Sequence, residues 1–433
     1  MPSLTATRRQ FAQGAIALPL LLPGEVLAAV KSIPSKENPM TKGPPVPMEW
    51  PRFIDLIRDI DKTLEYVIDP QDAWLKQEAV QQMAMSLAQG YMAIFHSDPQ
   101  HPMFYTFLNP IIKSAAPNPD YMYRSSFVEG TGTYRISGKR GTTLFVHLGI
   151  GSGYIGVDDV PGPTVGNIDL DELTLGPNGE FSVILAPERP EGYTGDFYQL
   201  DPRARTIGVR EASYDWLNEV DSTMAIERLD GPATYRRWPM DEIAHRMERL
   251  AGFPERYAKL FVHFVQTLKQ HPANTVVLND WSAIGGLKDQ TYYEGLFEFD
   301  EGECLLIETD VPETVRYWQI LLADQLFNTI EWEKCQSSLN GHQATRDSDG
   351  RFRAVICDRD PGVPNWLDTA GRFKGVIQGR WYQASSAPKP DVKRLKLADL
   401  RKHVPADTPV IDEAARKERL LERFRGAQFR KKW

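Results

Sequence analysis

From about residue 118 the hydrophobic period changes to two, in short runs bounded by turn residues that read as β-strands. Residues 133–137, 143–148, 181–185 and 206–210 alternate or are apolar throughout. Turn chemistry such as Gly138-Lys139-Arg140-Gly141 and Pro177-Asn178-Gly179 separates them. Strands this short, with turns this frequent, predict an antiparallel sandwich and argue against a parallel α/β sheet. A second β section runs from about 276 to 383, including 304–308, 352–356 and 375–382. At 433 residues the chain exceeds one ordinary core, so at least two domains are expected.

Helical spacing appears on either side of the first β section. Phe53, Leu56, Ile57, Ile60 and Leu64 share one period, as do Val80, Met83, Ala84, Leu87 and Tyr91, up to Ser97-Asp98-Pro99. After Pro239 a helix capped by Asp241 is expected to end at Gly252. Pro254 opens another that carries Tyr257, Leu260, Phe261, Phe264, Val265 and Leu268 on one face. A last helix spans 413–425 and stops at Gly426. The expected fold class is therefore α+β, mainly β. Its divisions are a helical segment at 52–117, a β-sandwich at 118–238, a helical connector at 239–275, a β domain at 276–385 and a tail at 386–433.

The N-terminus reads as an address. Thr7-Arg8-Arg9-Gln10-Phe11, an apolar run at 15–22 and small residues at 28–29 follow the order of a twin-arginine export signal. Residues 1–30 are read as that signal and 31–51 as a linker, which places the mature chain in the periplasm or outside the cell. Met40 offers an alternative, cytoplasmic start. The apolar run is too short to span a bilayer, and no other segment is a transmembrane candidate.

Net charge is −8, against a nucleic-acid partner. The tail is the exception, with fourteen Lys/Arg against seven Asp/Glu from Ser386 to Trp433; it suits either an anionic partner or packing on the acidic body. Three cysteines and eight scattered histidines form no framework and no dense ligand set, so neither transition metal nor organic cofactor is expected. Gly151-Ser152-Gly153-Tyr154-Ile155-Gly156 matches a dinucleotide fingerprint in spacing, but Val157-Asp158-Asp159-Val160-Pro161 cannot open the helix that fingerprint needs. Asp347-Ser348-Asp349-Gly350 has the flavour of a calcium loop but lacks the later ligands and the terminal Glu, and Asp-Gly between two alternating runs is far more often a hairpin turn.

One stretch of the second β section resembles a known family. Ser337-Ser338-Leu339-Asn340-Gly341-His342-Gln343-Ala344, Asp349-Gly350-Arg351-Phe352, the run from Asp360 to Gly371 and Gly379-Arg380-Trp381 are similar to the signature of the bacterial domain of unknown function 1214. That domain often accompanies domain of unknown function 1254. Asn118-Pro119-Asp120-Tyr121-Met122-Tyr123-Arg124 and the stretch 134–138 resemble that family's first β section. The resemblance implies a β-sandwich followed by a jelly-roll-like C-terminal β domain with flanking helices. It leaves the activity unassigned, with an associational hint towards lipid, steroid, terpenoid or aromatic metabolism.

Within these motifs, His342 with Asp360 and Asp368 is the candidate catalytic set, a histidine oriented by carboxylates being a ready general base. Trp366, Asn365, Asn340 and Arg380 are candidate ligand contacts, with Asp120, Tyr123 and Arg124 as a second polar cluster. His342, Asp360, Asp368 and Trp366 are expected to line one wall of a shared pocket, with Arg380 beneath. Arg380 is either an ion-pair partner of Asp360 or Asp368 or an anchor for an anionic ligand. Two functions require such a pocket: a cofactor-independent hydrolase or lyase acting on a largely apolar small molecule, or a non-catalytic carrier. A structural or interaction module requires none, and self-association is left open.

Overall fold

The computed structural model describes residues 45–66, 71–159, 162–282 and 286–430; the twin-arginine segment and most of the proposed linker lie outside them. The described residues from Met48 onward form one unit built from two sandwiches. Its first β section contains β1 (Tyr105–Leu108), β2 (Tyr121–Phe127), β3 (Tyr134–Lys139), β4 (Phe145–Gly151), β5 (Thr164–Asp169), β6 (Glu180–Ala186), β7 (Asp196–Gln199), β8 (Thr206–Ala212) and β9 (Thr223–Arg228). They make two sheets, β1-β2-β8-β4-β5 and β7-β6-β3-β9. The alternation in the sequence has a direct outcome. Val146, Leu148 and Ile150 of β4 and Ile207 and Val209 of β8 meet Tyr134, Ile136, Val183 and Leu185 of the facing sheet in one dry core. Each such side chain contributes roughly 1.5–3 kcal/mol on burial.

The second β section repeats the device. It comprises β10 (Val277–Asn279), β11 (Gln290–Glu298), β12 (Glu303–Thr309), β13 (Val315–Ala323), β14 (Ser338–Asn340), β15 (Phe352–Cys357), β16 (Trp366–Asp368), β17 (Lys374–Ala384) and β18 (Asp391–Lys396). Its sheets are β10-β11-β17-β13-β14 and β16-β15-β12-β18, and the chain repeatedly switches between them, as a jelly-roll-like domain does. Tyr293, Phe297, Trp318, Ile320, Ile377 and Trp381 of one sheet close on Leu305, Ile307, Phe352 and Ile356 of the other. The fold is α+β and mainly β.

Among the described residues, four α-helices flank the sheets: α1 (Trp50–Ile57), α2 (Ala73–Phe95), α3 (Met240–Leu268) and α4 (Glu413–Phe429). The expected break between Gly252 and Pro254 does not occur, and Pro254 lies inside the single helix α3. Leu250, Phe253 and Tyr257, on both sides of the proline, pack into the same cluster. Arg256 Nη2 donates to the Arg249 carbonyl at 2.7 Å, next to the backbone bond that proline removes. On α2 only Met83 of the expected positions is fully buried. Val80 and Tyr91 face solvent, while Gln82, Ser86 and Gln89 are buried beside Leu75, Ala79 and Met83. Nor is 52–117 wholly helical, since it contains β1.

The basic tail is part of the body: β18 pairs with β12, and α4 runs past Gly426 to Phe429. Three of its arginines are engaged inside the protein. Arg416 binds Asp360 at 2.9 Å, Arg430 binds Asp221 at 2.7 Å, and Arg423 Nη2 donates to Ser338 Oγ at 2.6 Å. No helix of the described residues is long and apolar enough to cross a membrane.

Candidate functional site

The outer faces of the two central sheets meet. Aromatic rings fill most of that seam, with Tyr121 5.4 Å from Tyr317 and Phe145 5.0 Å from Tyr382 between centroids. Midway along it the side chains stop. Gly149 of β4 and Gly208 of β8 are cross-strand partners on the seam face. A Cβ on Gly149 would find nothing nearer than Arg210 Nη1 at 3.7 Å, and one on Gly208 nothing nearer than a carbonyl at 3.9 Å. The space left over is a partly enclosed cavity of about 530 Å³. Its third wall is α3, through Tyr257, Phe261 and Phe264, and Gln89 of α2 reaches it too. Ala115 and Ala116, both at positive φ, form part of the lining. The glycine run 151–156 opens no helix, and Gly151 and Gly153 line the cavity instead.

One wall carries a connected set of polar groups. Tyr292 and Glu294 of β11 stand directly opposite Arg380 and Gln378 of β17. Arg380 Nη2 donates to Gln378 Oε1 at 2.5 Å, and Gln378 Nε2 donates to Glu294 Oε1 at 2.7 Å. Asn279 Nδ2 and Trp281 Nε1 donate to the other oxygen of Glu294 at 2.8 and 2.9 Å. Burial pushes the Glu294 carboxyl above the usual carboxylate range, outweighing the three donors and Arg380. The Arg380 guanidinium also lies over the rings of Tyr292 and Tyr121, at 5.0 and 5.9 Å. Burial opposes its charge, but the surrounding phenols outweigh that, and the group stays protonated. Burial also raises the Tyr121 and Tyr292 hydroxyls, so both remain neutral donors.

The expected wall of His342, Asp360, Asp368 and Trp366 does not form. The His342 side chain is 56% exposed, and the carboxylate it approaches is Asp215, at 3.9 Å. Asn340 Oδ1 accepts the backbone N–H groups of His342 and Gln343, so the turn holds the imidazole outward. Asp360 is engaged by Arg416, which also lies over the Trp366 ring at 5.2 Å. These three border a surface groove beneath α4 that His342, Asp368 and Arg380 do not line. Asp368 ends β16 and accepts the Ala370 N–H at 2.8 Å. Asn365 ties the carbonyls of Thr345 and Arg353 at 2.6 and 2.7 Å. Arg380 meets neither Asp360 nor Asp368, because β17 carries it into the other sheet. The second cluster divides as well, since neighbours on a strand face opposite ways. Tyr123 lines the cavity, whereas Arg124 pairs with Glu211 on the other side. Asp120 and Asn340 do come together, as a buried pair outside the cavity. Asp347 and Asp349 bind Arg353 at 2.9 and 2.7 Å, so the calcium-like turn is occupied by an arginine.

Glu294, Gln378, Tyr292, Arg210 and the two glycines were not singled out from the sequence. A signal for some of them exists. In Ile377-Gln378-Gly379-Arg380-Trp381, polar side chains alternate with apolar ones inside a strand buried on both faces, a pattern that demands a polar surface opposite. Nothing local marks Gly149 and Gly208 as partners.

No family model and no curated protein matches the chain. Among solved structures, an uncharacterized protein from Burkholderia cenocepacia superimposes with a TM-score of 0.75 at 24% identity, covering 81% of this chain and 97% of its own. That likeness shows the fold alone. The VPA0106 protein from Vibrio parahaemolyticus gives a TM-score of 0.44 at 12% identity, covering 79% of this chain and 100% of its own.

Proposed function

We propose that this chain binds a largely apolar small molecule in the cavity between its two sandwiches. The observation that carries the proposal is the Gly149–Gly208 pair, which withholds side chains where two sheet faces would otherwise interdigitate. A void of this kind forfeits packing and destabilises a fold. Its aromatic lining, convergent polar wall and size of about 530 Å³ are those of a ligand site. N-phenyl-1-naphthylamine, a neutral fluorescent probe, tests it. Wild-type protein is expected to bind the probe and Gly208→Leu, which fills the void from an unstrained backbone position, to lose it while keeping its circular dichroism. Equal binding by the two proteins would overturn the proposal.

The alternative of a cofactor-independent hydrolase or lyase is supported by Glu294, a cavity carboxyl held above its usual range and thus suited to proton transfer. Hydrolysis of 4-nitrophenyl hexanoate that Glu294→Gln abolishes, with probe binding intact, would favour it. Kinship with the domain of unknown function 1214 family and twin-arginine export belong to the same proposal, on the motifs named above.

A further inference from the structure

We propose that the ligand of this cavity carries a carboxylate and that Arg380 receives it. This rests on the cavity being a binding site and adds the chemical class of the head group. Arg380 is only 3% exposed, and no carboxylate of the described residues forms an ion pair with it. Its protein hydrogen bonding among the described residues is one bond, from Nη2 to the Gln378 amide oxygen, and the buried Nε has no protein partner. An unpaired charge in such a place is costly, and a buried donor left unmatched costs roughly 1–3 kcal/mol more. The fold does not lower that cost with a direct acid. Glu294 is kept one residue further off, its oxygens committed to Gln378, Asn279 and Trp281.

The charge of the cavity wall points the same way. Among the described lining residues Arg380 and Arg210 come from opposite sheets, and Glu294 is the one carboxylate. Gln378 has a fixed orientation, its oxygen towards Arg380 and its nitrogen towards Glu294, so the acid cannot reach the guanidinium without breaking two hydrogen bonds. What remains for Arg380 is a planar fork of donors against an apolar chamber, which matches a carboxylate better than a neutral hydroxyl. The aromatic lining of Tyr121, Tyr257, Phe261 and Phe264 suits a flat or alicyclic body behind that head group.

The test compares 2-naphthoate with its neutral counterpart 2-naphthalenemethanol by titration calorimetry. Wild-type protein is expected to bind the acid at least about 10-fold more tightly, the span of a charged hydrogen bond. Arg380→Met should weaken 2-naphthoate by about 10–100-fold and leave 2-naphthalenemethanol within about 3-fold. Equal affinities in the wild type, or a Met variant that keeps its grip on the acid, would overturn the proposal. The wild-type comparison decides by itself if Arg380→Met does not fold. Failure of the underlying site looks different: N-phenyl-1-naphthylamine then binds wild type and Gly208→Leu alike, or not at all.

Discussion

Asn340 Nδ2 donates to Asp120 Oδ1 at 2.8 Å, joining the first strands of one sandwich to the edge of the other across 220 positions of sequence. Trp216 Nε1 shares that oxygen at 2.9 Å, and the Tyr317 hydroxyl donates to Oδ2 at 2.6 Å. Asp120 is thus a buried acid held by three neutral donors, acting as glue between the two sandwiches. Asp120→Ala strands three buried donors and is expected to destabilise by about 3–5 kcal/mol, whereas Asp120→Asn, which keeps acceptors for Trp216 and Asn340, should cost much less. Chemical denaturation of the two variants makes the comparison. Similar losses for both would show that the donors are not the cause.

His342 is the opposite case. Exposed, held by its backbone turn and approached only by Asp215 at 3.9 Å, it should tolerate His342→Ala within about 0.5 kcal/mol, with probe binding unchanged. A loss of binding in that variant would return the site to the second sandwich.

His147 sets an acid limit. Burial pushes its pKa down to about 4, with Arg316 and Arg210 adding to the effect and Asp169 opposing it. Between the ordinary histidine value near 6.5 and about 4, the unfolded chain holds a proton that the folded one refuses. Stability therefore falls as pH drops through that window, by an amount on the order of 2–3 kcal/mol, and this term is flat above it. The slope difference between wild type and His147→Gln in urea titrations at pH 4–7 isolates it. Parallel curves would refute the assignment.

Asp368 acts in the reverse sense. Burial, with help from Asp360 and Asp358, lifts its pKa to about 6 against the pull of Arg416. The folded form holds the proton longer, so this group's contribution is present at low pH and is lost as pH rises through about 4–6. Asp368→Asn retains the acceptor for the Ala370 N–H and is expected to stabilise the protein by about 1–2 kcal/mol above pH 6, with no gain near pH 4. Melting temperatures at pH 4.5 and 7.5 decide it.

The cysteines should be chemically silent. Burial lifts Cys304 to about 11 and Cys335 to about 12, and pushes Cys357 higher still. Iodoacetamide at pH 8 is expected to label none of the three in folded protein and all of them in guanidinium chloride. Native labelling at any of them, read by mass spectrometry, would contradict this.

The sequence by itself determined several of the strands. The alternating or wholly apolar runs at 143–148, 206–210 and 352–356 are properties of neighbouring residues on one chain, and β4, β8 and β15 formed there, buried over most of their length. It also marked Asp120 and Asn340 as special polar positions, but not that they are special to each other. Local rules failed where tertiary packing supplied what they lacked: α3 passes through Pro254 because aromatic side chains hold it on both sides. The cavity was out of reach for a related reason. Gly149 and Gly208 are unremarkable in their own strands and make a void only because β4 and β8 pair in one register. Arg380 became a cavity residue, and His342 a surface one, once β17 and β14 took their places in the second sandwich. Which faces of which sheets meet is settled by contacts between residues hundreds of positions apart, and no local pattern carries that information.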